Sequence, residues 1–221
     1  MREFLKNNGL SLALFGLFAV SLVGQFLAGW HEFNNEQIAH GEAAAGMTGY
    51  LGEGHFWAAM FENWESEFLQ MAIYVLFTIF LYQKGSSESK TPDAVERVDV
   101  MTGPEYWTEE TPWPVKSGGF TLKLYENSLS LVLLSLFAFS FYFHAAGGAA
   151  DYNQEQMAHG GLHVTTFEYM ETSRFWFESF QNWQSEFLSI GVMVLFTVYL
   201  RQKGSPESKP VDSPNSETGC D

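Results

Sequence analysis

The chain has 221 residues, 46% of them hydrophobic and 17% aromatic, and a formal net charge of −15. Acidic and apolar residues fall in separate blocks, a pattern that fits an integral membrane protein with acidic loops rather than a water-soluble domain. The acidity argues against nucleic acid as a partner, because phosphate binding needs clustered Lys and Arg, and the lone cysteine, Cys220, excludes an intrachain disulfide.

The first element is an apolar run of transmembrane length from Gly9 to Trp30, preceded by Arg2 and Lys6. Alone it also fits a signal peptide. A matching run from Leu124 to Ala150 lies in mid-chain, where a signal peptide cannot be, and no convincing small-x-small cleavage site follows the first run. Both are read as membrane helices. A polar stretch follows each one, Phe33 to Gly41 and Tyr152 to Gly160.

The next element opens on Phe61-Glu62-Asn63-Trp64-Glu65-Ser66-Glu67-Phe68-Leu69, which returns as Phe180-Gln181-Asn182-Trp183-Gln184-Ser185-Glu186-Phe187-Leu188. Each copy leads into an apolar run, Gln70 to Tyr82 and Ser189 to Leu200. At 1.5 Å per residue, Phe68 to Tyr82 covers only about 22 Å of a hydrocarbon core about 30 Å thick. The helix therefore begins earlier, near Asn63, or the bilayer thins. In either case Ser66 and Glu67, like Ser185 and Glu186, lie at or inside the outer boundary.

Paired positions are 119 residues apart throughout: His40 with His159, Trp64 with Trp183, Lys84 with Lys203. One gapless register runs from Leu5 to Lys90 against Leu124 to Lys209, which reads as a duplication. The expected organisation is repeat 1 over 1–90 and a cytoplasmic, acidic, Pro-rich linker over 91–119. Repeat 2 covers 120–209 and a disordered tail 210–221. The expected fold class is all-α: a polytopic membrane protein with four transmembrane helices from two tandem parallel repeats. Basic residues cluster before span one, between spans two and three and after span four, with only Arg174 on the other side. The positive-inside rule then puts both termini in the cytoplasm, in an inner or plasma membrane.

Each repeat carries two polar constellations. In the first, Glu36 and His40 share a helix face at i, i+4, and Glu155 and His159 repeat this. A carboxylate and an imidazole at that spacing can bind a transition metal. Equally, Gly41 and Gly160 fit helix C′ positions, where a preceding His favours the negative end of the dipole. In the second, Asn63, Ser66, Glu67 and Gln70 share a face, as do Asn182, Ser185, Glu186 and Ser189. Asn63 also fits an N-cap, and Trp64 and Trp183 fit interface anchors. An ionisable group at membrane depth normally faces a bundle interior or water, so Glu67 and Glu186 are expected to point inward. His40, His159, the Asn and Ser groups and Arg174 are their candidate partners. A metal ion is the one cofactor these residues suggest, and its identity stays open.

The motifs Asn-Trp-x-Ser-Glu-Phe-Leu and Gln-Lys-Gly-Ser-x-Glu-Ser-Lys occur in both repeats, and Tyr-Asn-Gln-Glu-Gln-Met-Ala-His-Gly spans 152–160. In them the chain resembles a bacterial family of small multi-pass membrane proteins described only as a domain of unknown function. The resemblance covers nearly the whole chain outside the linker and tail. It implies membrane location and four spans, and no activity or catalytic residues.

No Cys motif, nucleotide-binding glycine loop or hydrolase elbow occurs, so the balance is against an enzyme. Three readings stay open. One is a non-enzymatic membrane protein with the lipid bilayer, a second copy or another membrane protein as partner. Another is a metal-, haem- or proton-binding protein that uses the Glu and His set. The last is a small transporter or channel subunit.

Overall fold

The computed structural model describes residues 1–100, 103–158 and 160–219. Among them the chain is all-helical, with no strand. In order, the helices are α1 (Arg2–Asn7), α2 (Gly9–Ala39), α3 (Met47–Tyr50), α4 (Gly54–Phe77), α5 (Trp113–Ser117), α6 (Gly119–Glu126), α7 (Ser128–Ala158), α8 (Thr166–Met170) and α9 (Ser173–Tyr199). Two short 3-10 turns, Arg97–Asp99 and Pro104–Tyr106, lie between α4 and α5.

Helices in the two halves start at the same 119-residue offset: Gly9 with Ser128, Met47 with Thr166, Gly54 with Ser173. Local bonds recur with them. Asn8 and Asn127 each return a side-chain amide to the carbonyl four residues back, at 2.9 and 2.8 Å. Gly41 and Gly160 end their helices at φ +82° and +70°, the left-handed conformation that glycine adopts without a Cβ penalty.

Among the described residues two helices are long and apolar enough to cross a membrane, Gly9–Ala39 and Ser128–Met157. The expected second and fourth spans, α4 and α9, carry Glu62, Glu65 and Glu67 or Arg174, Glu178 and Glu186 and fall outside that class. Helix α4 also stops at Phe77, short of Tyr82, as turn bonds from Ile79 and Phe80 replace the helical pattern.

The chain forms two compact units, with α4, α7 and α9 contributing to both. The first takes residues 1–61 and 143–175. Its core is built on Tyr50 and Tyr169, an equivalent pair that is almost fully buried. Each ring lies over a glycine of the preceding long helix, Gly29 for Tyr50 and Gly148 for Tyr169. Phe26 and Phe33 pack on Tyr50 at 5.6 and 5.4 Å, and Phe175 meets Tyr169 edge-on at 5.8 Å. Within this unit the start of α4 crosses α7 backbone to backbone. A Cβ on Gly54 would lie 2.5 Å from Gly147 O, and one on Gly147 would lie 2.6 Å from Ala58 N.

The second unit takes residues 62–142 and those from 176 onward. Phe137 and Phe141 of α7 pack on Trp183 and Trp176 of α9 at 6.4 and 6.2 Å. Local bonds hold the ends of the two repeats to the linker and the tail. Lys90 pairs with Asp99 at 2.6 Å. Lys209 is buried, and its ammonium donates to the carbonyls of Pro214, Asn215 and Glu217 at 3.3, 3.2 and 2.8 Å. Thr218 Oγ1 accepts from Gly85 N at 2.8 Å, and Gly219 N donates to Ser86 O at 3.0 Å, so the tail closes onto the first Gln-Lys-Gly-Ser motif. A lysine held by three carbonyls supplies order that an apolar count does not register.

The backbone crossing at Gly147 gives a paired prediction. Gly147→Val forces the helices apart and should lower stability by about 1–3 kcal/mol. Gly191→Ala, with nothing within 4 Å of the added carbon, should cause no loss. Thermal unfolding of the purified variants checks both.

Candidate functional site

The first unit holds a polar cleft of about 410 Å³. Glu36 and His40, from the end of α2, line it with Glu155 from the end of α7, so three of the expected site residues gather at one place. His55, Asp151 and Arg174 complete the charged part of the wall. His159 lies outside the described residues.

The ends of the long helices are held by a repeated clamp. Asn34 donates to Ala45 O at 3.0 Å and accepts from Ala45 N at 2.7 Å. Asn153 does the same with Val164, at 2.8 Å in both directions. Each amide thus ties its long helix to a residue eleven positions on.

Arg174 decides the electrostatics of the cleft. Its guanidinium donates to Glu155 Oε2 at 2.7 Å and to Asp151 Oδ2 at 3.1 Å, and it lies over the Tyr152 ring at 5.9 Å. One cation therefore serves two carboxylates. At the equivalent place in the first half, His55 Nδ1 is hydrogen-bonded to Tyr50 Oη at 2.9 Å. Burial, with Glu32 and Asp151 nearby, pushes the Tyr50 phenol up to about 12, so it stays protonated. Among the described residues, no group of three or more His, Cys, Asp or Glu side chains is placed to hold a metal ion.

The second constellation is in the other unit, and none of its residues lines this cleft. Glu67, expected to point inward, is exposed, whereas Glu65 is completely buried. At about 100° per residue, two positions differ by about 200°, so these two carboxylates cannot share a face. Glu186 is half-buried and has Glu67 as a like-charged neighbour. Trp183, expected as an interface anchor, is half-buried and donates its indole N–H to Glu65 Oε1 at 2.9 Å.

The Asn and Ser groups divide their bonds between local and cross-helix partners. Ser66 donates to Asn63 O and Ser185 to Asn182 O, both at 2.8 Å and both within one helix turn. Asn182 also donates across to Glu62 Oε1. Gln70 donates to Glu186 O at 2.8 Å and to Ser189 Oγ at 3.1 Å. The joined positions rise together, 62, 65 and 70 on α4 with 182, 183 and 186/189 on α9. The two helices therefore run in the same direction, side by side. Glu62 and Glu65 supply the acceptors of this contact, and Asn182 and Trp183 the donors.

Glu65→Leu removes the acceptor of the half-buried Trp183 N–H and should cost about 1–3 kcal/mol, whereas Glu65→Gln keeps an acceptor and should cost less. Denaturant unfolding of the two variants measures the difference.

Among curated proteins and among solved structures, nothing matches this chain. A family model does match, over residues 1–220, and its description is "Domain of unknown function (DUF6766)". With essentially its whole length matched, the chain belongs to the DUF6766 family.

Proposed function

We propose that the protein is a non-enzymatic, multi-pass membrane protein of bacterial type, with four spans in two parallel repeats. Its polar working surface is the cleft around Glu36, His40, Glu155 and Arg174. The observation that carries the membrane reading is the pair of long apolar helices, α2 and α7. On α2, Leu10, Leu14, Phe15, Leu17 and Val20 are 58–75% exposed. In water each such side chain forgoes about 1.5–3 kcal/mol of burial, and together these losses rival a domain's whole stability of about 5–15 kcal/mol. A bilayer removes that cost.

Helices α4 and α9 complete the four spans in this reading. Their 24 and 27 residues reach about 36 and 40 Å, enough for a core of about 30 Å. Some of their polar groups meet one another instead of lipid, as Glu65 does with Trp183. Phe177, Phe180, Leu188, Leu195 and Phe196 remain exposed on α9 as a lipid-facing surface. The common direction of α4 and α9 supports parallel rather than inverted repeats. Basic-residue asymmetry places both termini in the cytoplasm and the cleft outside.

Gly46→Cys and Thr166→Cys, each made with Cys220 replaced by Ser, test this in intact cells. Both sites should react with a membrane-impermeant maleimide from outside, and Ser87→Cys should react only after the membrane is opened. Labelling of Gly46→Cys or Thr166→Cys from the cytoplasmic side alone would refute the parallel four-span arrangement.

A further inference from the structure

The Gln-Lys-Gly-Ser-x-Glu-Ser-Lys motifs, residues 83–90 and 202–209, fold alike in the second unit. In each, the last serine accepts from the backbone of the opening glutamine, Gln83 N to Ser89 Oγ and Gln202 N to Ser208 Oγ, both at 2.9 Å. The first serine accepts from the glutamate N–H, at 3.0 Å for Ser86 and Glu88 and 3.2 Å for Ser205 and Glu207. Their glycines share one backbone conformation, with φ +88° at Gly85 and +87° at Gly204. Their surroundings differ. A Cβ on Gly85 would meet Asn215 O, whereas one on Gly204 has nothing within 4 Å. Segment 213–219 thus lies against Gly85 and not against Gly204, and the turn has the same shape with and without it.

The segment is seated mainly through its backbone. Lys209 Nζ donates to the carbonyls of Pro214, Asn215 and Glu217. Arg201 donates through Nη1 to Leu200 O at 2.9 Å, at the end of α9, and through Nη2 to Ser213 O at 3.1 Å and Asn215 Oδ1 at 3.2 Å. Its Nε is buried without a partner among the described residues, so beyond the helix end its acceptors come from the segment. Gly85 N donates to Thr218 Oγ1, and Ser86 O accepts from Gly219 N. Pro214 is the one apolar residue of the stretch Ser-Pro-Asn-Ser-Glu-Thr-Gly, and residues 214–217 are exposed. No large apolar side chain anchors the segment, and hydrogen bonds alone exchange with water at small net cost. A surface that reads main-chain groups in this way takes an extended peptide.

We propose that the first turn and the end of α9 form a peptide-docking site, with segment 213–219 as its built-in, displaceable occupant. Its donors are Lys209 Nζ, Arg201 Nη2 and the Gly85 N–H, and its acceptor is Ser86 O. The partner it fits is an extended polypeptide stretch that presents successive carbonyls to the two cations and an N–H to Ser86. Tethering gives the chain's own segment a high effective concentration, so the segment excludes such a partner until it lifts. The site lies within the second unit and stands whether or not α4 and α9 cross a bilayer.

Amine acylation of the full chain in detergent, mapped by mass spectrometry, reads the seat at buried Lys209 against exposed Lys203. In the wild type Lys209 should react at least about tenfold more slowly than Lys203, because it must first be uncovered. Asn215→Leu combined with Thr218→Val removes two acceptors of the segment, leaves every donor of the site in place, and should speed Lys209 by about tenfold. An excess of N-acetylated peptide of residues 213–219 should then slow it again. Gly85→Ala should also speed Lys209, through the collision with Asn215 O, and there the peptide should not restore protection. Gly204→Ala, strained alike in φ, should leave Lys209 protected. If the double variant does not fold, Asn215→Leu alone carries the same test. Lys209 as reactive as Lys203 in the wild type, protection that survives both the double change and Gly85→Ala, or a folded double variant that the peptide does not protect would overturn the proposal.

Discussion

The Glu65 carboxylate has no exposed surface, and Trp183 donates to it at 2.9 Å. Burying a carboxylate costs several kcal/mol unless it is paired and hydrogen-bonded, so this bond constrains everything around it. It sets α4 beside α9, fixes their common direction and, with Glu62–Asn182 above and Gln70–Ser189 below, fixes their register. Gln70 and Ser189 are equivalent positions, 119 apart, and they touch. Equivalent residues of two copies meet only where the copies are related by an axis between them. Along such an axis identical side chains face each other, and like charges repel. Between α4 and α9 unlike groups meet instead: the acceptors Glu62 and Glu65 take hydrogen bonds from Asn182 and Trp183.

The sequence made the repetition legible to a fine grain. Helix starts, the Asn34 and Asn153 clamps and the glycine helix ends all follow the offset of 119 read from His40 and His159. Glu36, His40 and Glu155, which the sequence offered as candidate ligands, line one cleft. The phase of α4 was not legible. Glu62 to Glu67 is polar around the whole helix, so no apolar stripe marks the inner face, and Glu67 was expected where Glu65 lies. The role of Arg174 was half-visible: it was one candidate partner for Glu186 but serves Asp151 and Glu155, which its lack of a counterpart in the first copy left undecided. Around Lys90 and Lys209 single charged groups meet Asp99 or backbone carbonyls, contacts that composition does not register.

A double-mutant cycle on Glu65 and Trp183 tests the central claim most directly, since it isolates the term between the two helices from the cost of each truncation. Unfolding free energies are needed for the wild type, Glu65→Leu, Trp183→Phe and the double variant. The account predicts a coupling between about 0.5 and 3 kcal/mol, with the double variant less destabilised than the two single losses added together. Losses that add to within about 0.3–0.5 kcal/mol would contradict it, and the buried carboxylate would then not be what joins α4 to α9.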